Sequence, residues 1–64
     1  MNLKSLEKEI TQARLSLAEA IRIEEESGYD FDETMERKHA EGWAEALDYA
    51  YILLNGAPYN EEND

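Results

Sequence analysis

This sequence predicts an all-α fold: an antiparallel helical hairpin that dimerises into a four-helix bundle. Apolar residues recur at alternating steps of three and four in both halves of the 64-residue chain, as one face of a helix requires. Neither glycine nor proline interrupts the chain before Gly28. The two halves are almost equal in length, and a short loop between equal helices favours an antiparallel pair. We therefore expect a hairpin at residues 1–56 and a flexible acidic tail at residues 57–64.

The first helix is predicted at about residues 3–26. Asn2 precedes it as the N-cap, and Gly28 follows it at the position where a left-handed residue ends many helices. The apolar seam of this helix consists of Leu3, Leu6, Ile10, Ala13, Leu17 and Ala20.

The second helix is predicted at about residues 31–54. Asp30 is its N-cap, Glu33 stands three residues later in capping-box register, and Gly56 and Pro58 end it. Its predicted seam consists of Ala40, Trp43, Leu47, Ala50 and Leu54, widened by Met35, Gly42, Ala46 and Leu53.

A single hairpin has more apolar surface than two helices can bury against each other. A domain of this size is marginally stable, and the chain has no cysteine to supply a disulfide. A twofold dimer is the expected remedy, with a mixed bundle formed with a different protein as the alternative. Gly42 and Ala46 would let a neighbouring backbone approach closely. The expected oligomer interface consists of Leu17, Ile21, Gly42, Trp43, Ala46, Leu47, Ala50 and Leu54.

The charge of the chain limits its partners. Sixteen acidic residues oppose six basic ones, for a net charge of −10. Such a field repels nucleic acid and anionic membranes, so we expect neither as a direct partner. A basic protein surface or a cation complements it, although the charge could serve solubility alone. With no cysteine, no secretory signal and no membrane-spanning run, the expected location is the cytoplasm.

Acidic residues gather where helix electrostatics disfavours them. Lys4 lies near the start of the first helix and Glu24 to Glu26 near its end, against the helix dipole. Either the helix frays before Glu25, or the acids form a binding surface for a basic groove. Regularly spaced carboxylates can also imitate phosphates and so occupy a nucleic-acid-binding surface of a partner. The expected partner-binding residues are Glu24, Glu25, Glu26, Asp30, Asp32, Glu33, Glu36, Glu41, Glu45 and Asp48.

One pattern fits a metal site. Glu36 and His39 are three residues apart, on one face of a helix, and Glu19 would lie opposite. The segment 36–43 thereby resembles the metal-binding helix of ferritin-like proteins, including the short encapsulated ferritins. That resemblance implies an iron or manganese bundle as an alternative function. We favour no cofactor, and the single histidine and scattered serines provide no nucleophile and base pair, so no enzyme is expected.

The segment 41–50, which reads Glu-Gly-Trp-Ala-Glu-Ala-Leu-Asp-Tyr-Ala, looks like helices in short phage-encoded accessory proteins, as does the Asn55-Gly56 ending. This resemblance implies a small protein that binds and inhibits a host or defence protein. The main functional prediction is therefore an acidic, homo-oligomeric inhibitor or adaptor. A structural assembly protein whose charge only confers solubility is a further alternative.

Overall fold

Two α-helices and the loop between them make up the hairpin. The computed structural model describes residues 2–61, in which α1 spans Leu3–Glu26 and α2 spans Phe31–Asn55. No strand occurs in this range. The all-α class and the helical hairpin predicted from the sequence are confirmed.

Both helices begin at side-chain caps. The Asn2 carboxamide oxygen accepts a hydrogen bond of 2.8 Å from the backbone N–H three residues later, as predicted. The Asp30 carboxylate accepts one of 3.2 Å from the Asp32 N–H. The predicted capping box with Glu33 is wrong, because the Asp30 N–H donates to the Ser27 hydroxyl at 3.1 Å. The loop thus supplies the acceptor that Glu33 was expected to provide.

Both helices end at a glycine in the left-handed conformation. Gly28 has a φ of +72° and Gly56 a φ of +82°, a region that side chains with a Cβ disfavour. After α1, the Tyr29 N–H donates to the Glu24 carbonyl at 2.9 Å and the Gly28 N–H donates to the Glu25 carbonyl at 3.1 Å. These two bonds form a Schellman motif. The alternative in which α1 frays before Glu25 is therefore wrong.

The core lies along the contact between the helices. Its buried residues are Leu6, Ile10, Ala13, Ala44, Leu47 and Tyr51, against which Leu17, Ala50 and Tyr59 pack in part. Leu6 and Ile10 are the most deeply buried, each with 1% of its surface exposed. The predicted seam of α1 is confirmed from Leu6 to Leu17, whereas Leu3 is exposed and Ala20 is half-buried outside the core.

The predicted seam of α2 is partly wrong. Trp43 and Leu54 are exposed, and the buried positions that replace them are Ala44 and Tyr51, each one residue or one turn away. Burial of Tyr51 is favoured because its hydroxyl donates a hydrogen bond of 2.8 Å to a carboxylate of α1. The residues expected to widen the seam are likewise exposed: Met35, Gly42, Ala46 and Leu53.

The tail packs against the hairpin as far as Glu61. The Tyr59 ring lies 5.4 Å from the Tyr51 ring, and the Arg14 guanidinium lies 5.7 Å from the centre of Tyr59. Arg14 also donates hydrogen bonds of 3.1 Å to the Tyr59 carbonyl and to the Glu61 carboxylate. These contacts replace the flexible tail expected from the sequence, while residues 62–64 lie outside the described part of the chain.

Candidate functional site

The hairpin has two long sides, and ion pairs cover one of them. On this ion-pair side, defined by Arg14 and Arg37, the Arg14 guanidinium lies 3.1 Å from the Asp48 carboxylate. The Arg37 guanidinium lies 3.1 Å from Glu24 and 3.4 Å from Glu41. Three of the expected partner-binding carboxylates are therefore engaged within the chain.

Glu24 differs most from its predicted role. Only 4% of its surface is exposed, so it cannot belong to an outer acidic surface. A hydrogen bond from the Thr34 hydroxyl, and then hydrogen bonds from Arg37, lower the pKa of the Glu24 carboxyl and keep it ionised. Among residues 2–61, no buried side-chain nitrogen or oxygen lacks a hydrogen-bond partner. The place of Glu24 in the partner-binding set is wrong, because it links the two helices.

The remaining expected partner-binding residues lie at or near the surface. Glu33 and Asp48 are half-buried, and the exposed ones are Glu25, Glu26, Asp30, Asp32, Glu36, Glu41 and Glu45. Arg22 neutralises Glu26 through hydrogen bonds along α1. Of the expected partner-binding carboxylates, those outside every ion pair in the described range are Glu25, Asp30, Asp32, Glu33, Glu36 and Glu45. These six can meet an external charge without first breaking an internal pair.

The expected interface residues divide into buried and exposed groups. Leu47 is in the hairpin's own core, and Leu17 and Ala50 pack against that core. Ile21 is exposed, but it stands seven residues after Arg14 and so lies on the ion-pair side of α1. The exposed residues that share one region of α2 are Gly42, Trp43, Ala46 and Leu54.

An apolar stripe runs along α2 away from the ion-pair side. Helical spacing places its members on adjoining positions of one surface: His39, Gly42, Trp43, Ala46, Ala50, Leu53 and Leu54. The stripe contains no carboxylate, although the acids Glu41, Glu45 and Asp48 alternate with it along the same helix. Trp43 is 55%, Leu53 68% and Leu54 64% exposed. The sequence pattern identified these apolar residues but assigned several of them to the core.

Gly42 has no role within the single chain. A Cβ built at this position would meet nothing within 4 Å, and its φ is an ordinary helical value. Glycine inside a helix costs about 1 kcal/mol relative to alanine. The single hairpin therefore gains nothing from a glycine here. A helix packed on the apolar stripe would gain, because the missing side chain lets its backbone approach closely.

The chain exposes more surface than a monomer of its mass usually does. Its accessible surface is 4777 Å² for 7.4 kDa. A folded monomer of that mass exposes about 4,200 Å². The hairpin is elongated, with extents of 38 × 19 × 17 Å, and this shape raises its exposed surface above that of a rounder monomer.

A groove lies between the helices on the side opposite the ion pairs. It consists of two adjoining cavities of about 430 and 580 Å³ that share Ser16, Ala20 and Glu36. The residues lining this groove are Leu15, Ser16, Glu19, Ala20, Ile23, Glu33, Glu36, His39, Ala40 and Trp43. It occupies the half of the hairpin nearest the loop, whereas most of the apolar stripe extends toward the other end.

The groove brings together the three residues of the alternative metal site without assembling a site. Glu19 and Glu36 line one cavity, and Glu36 and His39 line the other. Within residues 2–61, no three histidine, aspartate or glutamate side chains are placed to hold a metal ion. Arg22 instead donates to Glu19 and lowers the pKa of its carboxyl. A single chain therefore offers no metal site at these residues.

Neither α1 nor α2 has an apolar stretch sufficient to cross a lipid bilayer. Comparison of the chain with protein-family models, with curated proteins and with solved structures finds no match. The resemblance to phage-encoded accessory proteins stays a prediction, and the geometry of the apolar stripe and the groove must support any functional proposal.

Proposed function

We propose that this protein is an acidic protein-binding module that pairs with a second copy through the apolar stripe. In this proposal, the paired module docks on a basic surface of a partner protein as an inhibitor or adaptor. The single observation that carries the proposal is that the acidic and the apolar residues of α2 lie on separate sides of the helix. In a chain with a net charge of −10, a surface more than ten residues long contains only apolar side chains, alanine, glycine and one histidine.

Pairing through the apolar stripe is supported by how α2 distributes its apolar residues. The helix buries one stripe against α1 and exposes a second one beside it, so apolar residues cover more than half of its circumference. A helix of this kind is normally surrounded by other elements. A second copy can cover the stripe at the lowest electrostatic cost, because no carboxylates meet there. Gly42 and Ala46 lie near the middle, where two α2 helices would cross.

Sedimentation velocity tests the pairing. We expect the protein to sediment as a dimer at micromolar concentration and Leu53→Glu to sediment as a monomer that retains its helical circular dichroism. Leu15→Glu is the matched control, because Leu15 is comparably exposed but lies on α1 outside the stripe. A wild-type protein that remains a folded monomer at about 100 μM, roughly a hundredfold above a micromolar dissociation constant, would exclude pairing of useful strength.

Binding to a basic surface is supported by the six expected partner-binding carboxylates that no ion pair engages. They lie toward the hairpin loop and along one edge of α2, where the chain's basic residues do not neutralise them. Attraction between exposed charges falls steeply with ionic strength. We therefore expect a partner captured from the native cell to be released at high salt. It should also bind more weakly to Glu36→Lys than to Glu26→Lys, which changes the net charge equally, because Arg22 already neutralises Glu26. Salt-insensitive binding would reject this electrostatic mode.

A structural assembly role is the second candidate, and the ion pairs favour it. Six carboxylates serve as partners of Arg14, Arg22 and Arg37 within the described residues. Part of the acidity thus stabilises the fold. If neutralising Glu25, Glu36 and Glu45 to glutamine leaves both self-association and cellular activity unchanged, this candidate replaces the basic-surface proposal.

A further inference from the structure

The groove has the shape of a site for one additional helix. Its floor is made by Ala20 and Ala40, which are half-buried and leave space between the helices, and its walls include Leu15, Ile23 and Trp43. The segment of α2 that lines it, residues 33–43, is about 15 Å long at a rise of 1.5 Å per residue. That length matches roughly three turns of a bound helix, enough for three or four apolar anchors at steps of three and four.

The rim of the groove has one sign of charge. Glu19, Glu33 and Glu36 line it, and none of its lining residues within 2–61 is lysine or arginine. Arg22 neutralises Glu19 in part, but Glu33 and Glu36 belong to no ion pair in the described range. The opposite side of the hairpin differs, because Arg14 and Arg37 neutralise its acids there.

We infer that this groove binds an amphipathic helix of a basic partner protein, with apolar side chains on the alanine floor and lysine or arginine side chains on Glu33 and Glu36. The inference rests on the proposed function, since it specifies where and how the basic partner docks. A third helix in this position completes a three-helix arrangement and covers the walls of the groove.

Charge distinguishes this occupant from the other candidates. A second copy of the chain brings a net charge of −10 to a rim that is already acidic, whereas the apolar stripe offers it a surface without carboxylates. Nucleic acid is repelled by the same rim. Two interactions favour binding of a basic helix. Its apolar side chains are buried on the floor of the groove, and its cations lie against carboxylates that no internal partner neutralises.

Trp43 provides the measurement, because it lines the groove and is the only tryptophan in the chain. The protein is titrated with a synthetic peptide of about 18 residues that has leucine at helical a and d positions and lysine elsewhere. Two control peptides have glutamate in place of lysine, or the same composition with a proline in the middle. We expect saturable changes in Trp43 fluorescence with the first peptide and none with either control.

Paired variants then locate the binding. Glu33→Lys/Glu36→Lys should weaken peptide affinity by about tenfold or more, because it reverses the rim of the groove. The control Glu9→Lys/Glu26→Lys changes net charge equally but lies outside the groove, at an exposed acid of α1 and at an acid that Arg22 already neutralises, and it should weaken affinity less than about threefold. Circular dichroism checks that both variants remain helical.

Four results would overturn the inference. Equal weakening by both variant pairs means that the peptide binds by diffuse attraction, in which case the proposed function stands without the groove. If a basic partner protein binds and the lysine peptide does not displace it, the proposed function likewise stands but the partner does not bind in the groove. A loss of self-association in Glu33→Lys/Glu36→Lys, measured by sedimentation, means that the second copy occupies the groove. If no basic peptide or protein binds the wild-type chain at low salt, the groove and the basic-surface proposal both fail.

Discussion

The Glu24 carboxylate near the end of α1 and the Arg37 guanidinium in the second turn of α2 form an ion pair with a distance of 3.1 Å. This pair explains an acid that the helix dipole alone disfavours. Glu24 contacts Arg37 on the other helix. This contact offsets the unfavourable interaction of a negative charge with the C-terminal end of the helix dipole. The adjacent Glu25 and Glu26 remain on the surface, so the three consecutive glutamates have different roles.

Replacing Glu24 should remove a contribution to stability that depends on pH in a defined window. Thr34 and Arg37 lower the pKa of its carboxyl, so the ionised group stabilises the fold above the unfolded-state pKa of about 4.3. This contribution disappears as the pH falls through the lower, folded-state pKa. We expect Glu24→Gln to lower the urea midpoint at neutral pH, and the difference from wild type to shrink in acid. Urea unfolding followed by circular dichroism at a series of pH values measures it.

Glu25→Gln is the matched control for that experiment. Its side chain is exposed and belongs to no ion pair within residues 2–61, so its urea midpoint should follow that of the wild type at each pH. If Glu24→Gln and Glu25→Gln behave alike, the contact between Glu24 and Arg37 does not stabilise the hairpin.

Local sequence signals predicted where the two helices begin and end. They did not predict which face of α2 contacts α1. Asn2, Asp30, Gly28 and Gly56 act through backbone conformations and hydrogen bonds within a few residues, which a sequence displays directly. The orientation of α2 depends on which of two neighbouring apolar stripes faces α1. Periodicity assigned both stripes to the buried side, whereas contact with α1 selects the one that contains Tyr51.

The orientation of α2 can be tested with two leucines that were expected to be equivalent. Leu47→Ala should cost about 2–5 kcal/mol of stability, because Leu47 is buried in the core. Leu54→Ala should change it by less than about 0.5 kcal/mol in the single chain, because Leu54 is exposed. Urea unfolding at concentrations where the wild type is monomeric measures both. Equal losses would mean that α2 is rotated toward the seam predicted from the sequence.

The tail should contribute measurable stability. Tyr59 packs against Tyr51 and under Arg14, and it is half-buried. We expect Tyr59→Ala to lower the free energy of unfolding by about 1–2 kcal/mol, less than for a fully buried aromatic residue. Tyr29→Ala is the control, since Tyr29 is exposed and alanine keeps the cost of its left-handed backbone. Identical stabilities of the two variants would contradict a docked tail.

The sequence indicated the composition of the candidate site better than its layout. Net charge and the acidic run near the loop predicted a basic partner, and that prediction stays untested. The neutralising contacts of Arg14, Arg22 and Arg37 were missed. For Arg22 a local signal existed, because arginine at three or four residues from glutamate predicts a pair along one helix. Arg14 and Arg37 reach across the hairpin, and only the register of the two helices brings them to Asp48 and Glu24.

Gly42 offers the sharpest distinction between folding and pairing. In the single chain, Gly42→Ala should stabilise α2 by up to about 1 kcal/mol, because the added methyl meets no atom and alanine has the higher helix propensity. In a pair of α2 helices that cross near this residue, the same methyl would push the backbones apart and weaken association. Urea unfolding at low concentration and sedimentation at high concentration should therefore shift in opposite directions.

Gly42→Leu and Glu41→Leu extend the comparison between neighbouring positions. The larger side chain at position 42 should weaken pairing further, whereas position 41 lies on the ion-pair side and should leave pairing unchanged. If Gly42→Ala strengthens folding and association together, the helices do not approach closely at Gly42. The apolar stripe would then have to pair through its end at Leu53 and Leu54, where side chains and not backbones would set the distance between the helices.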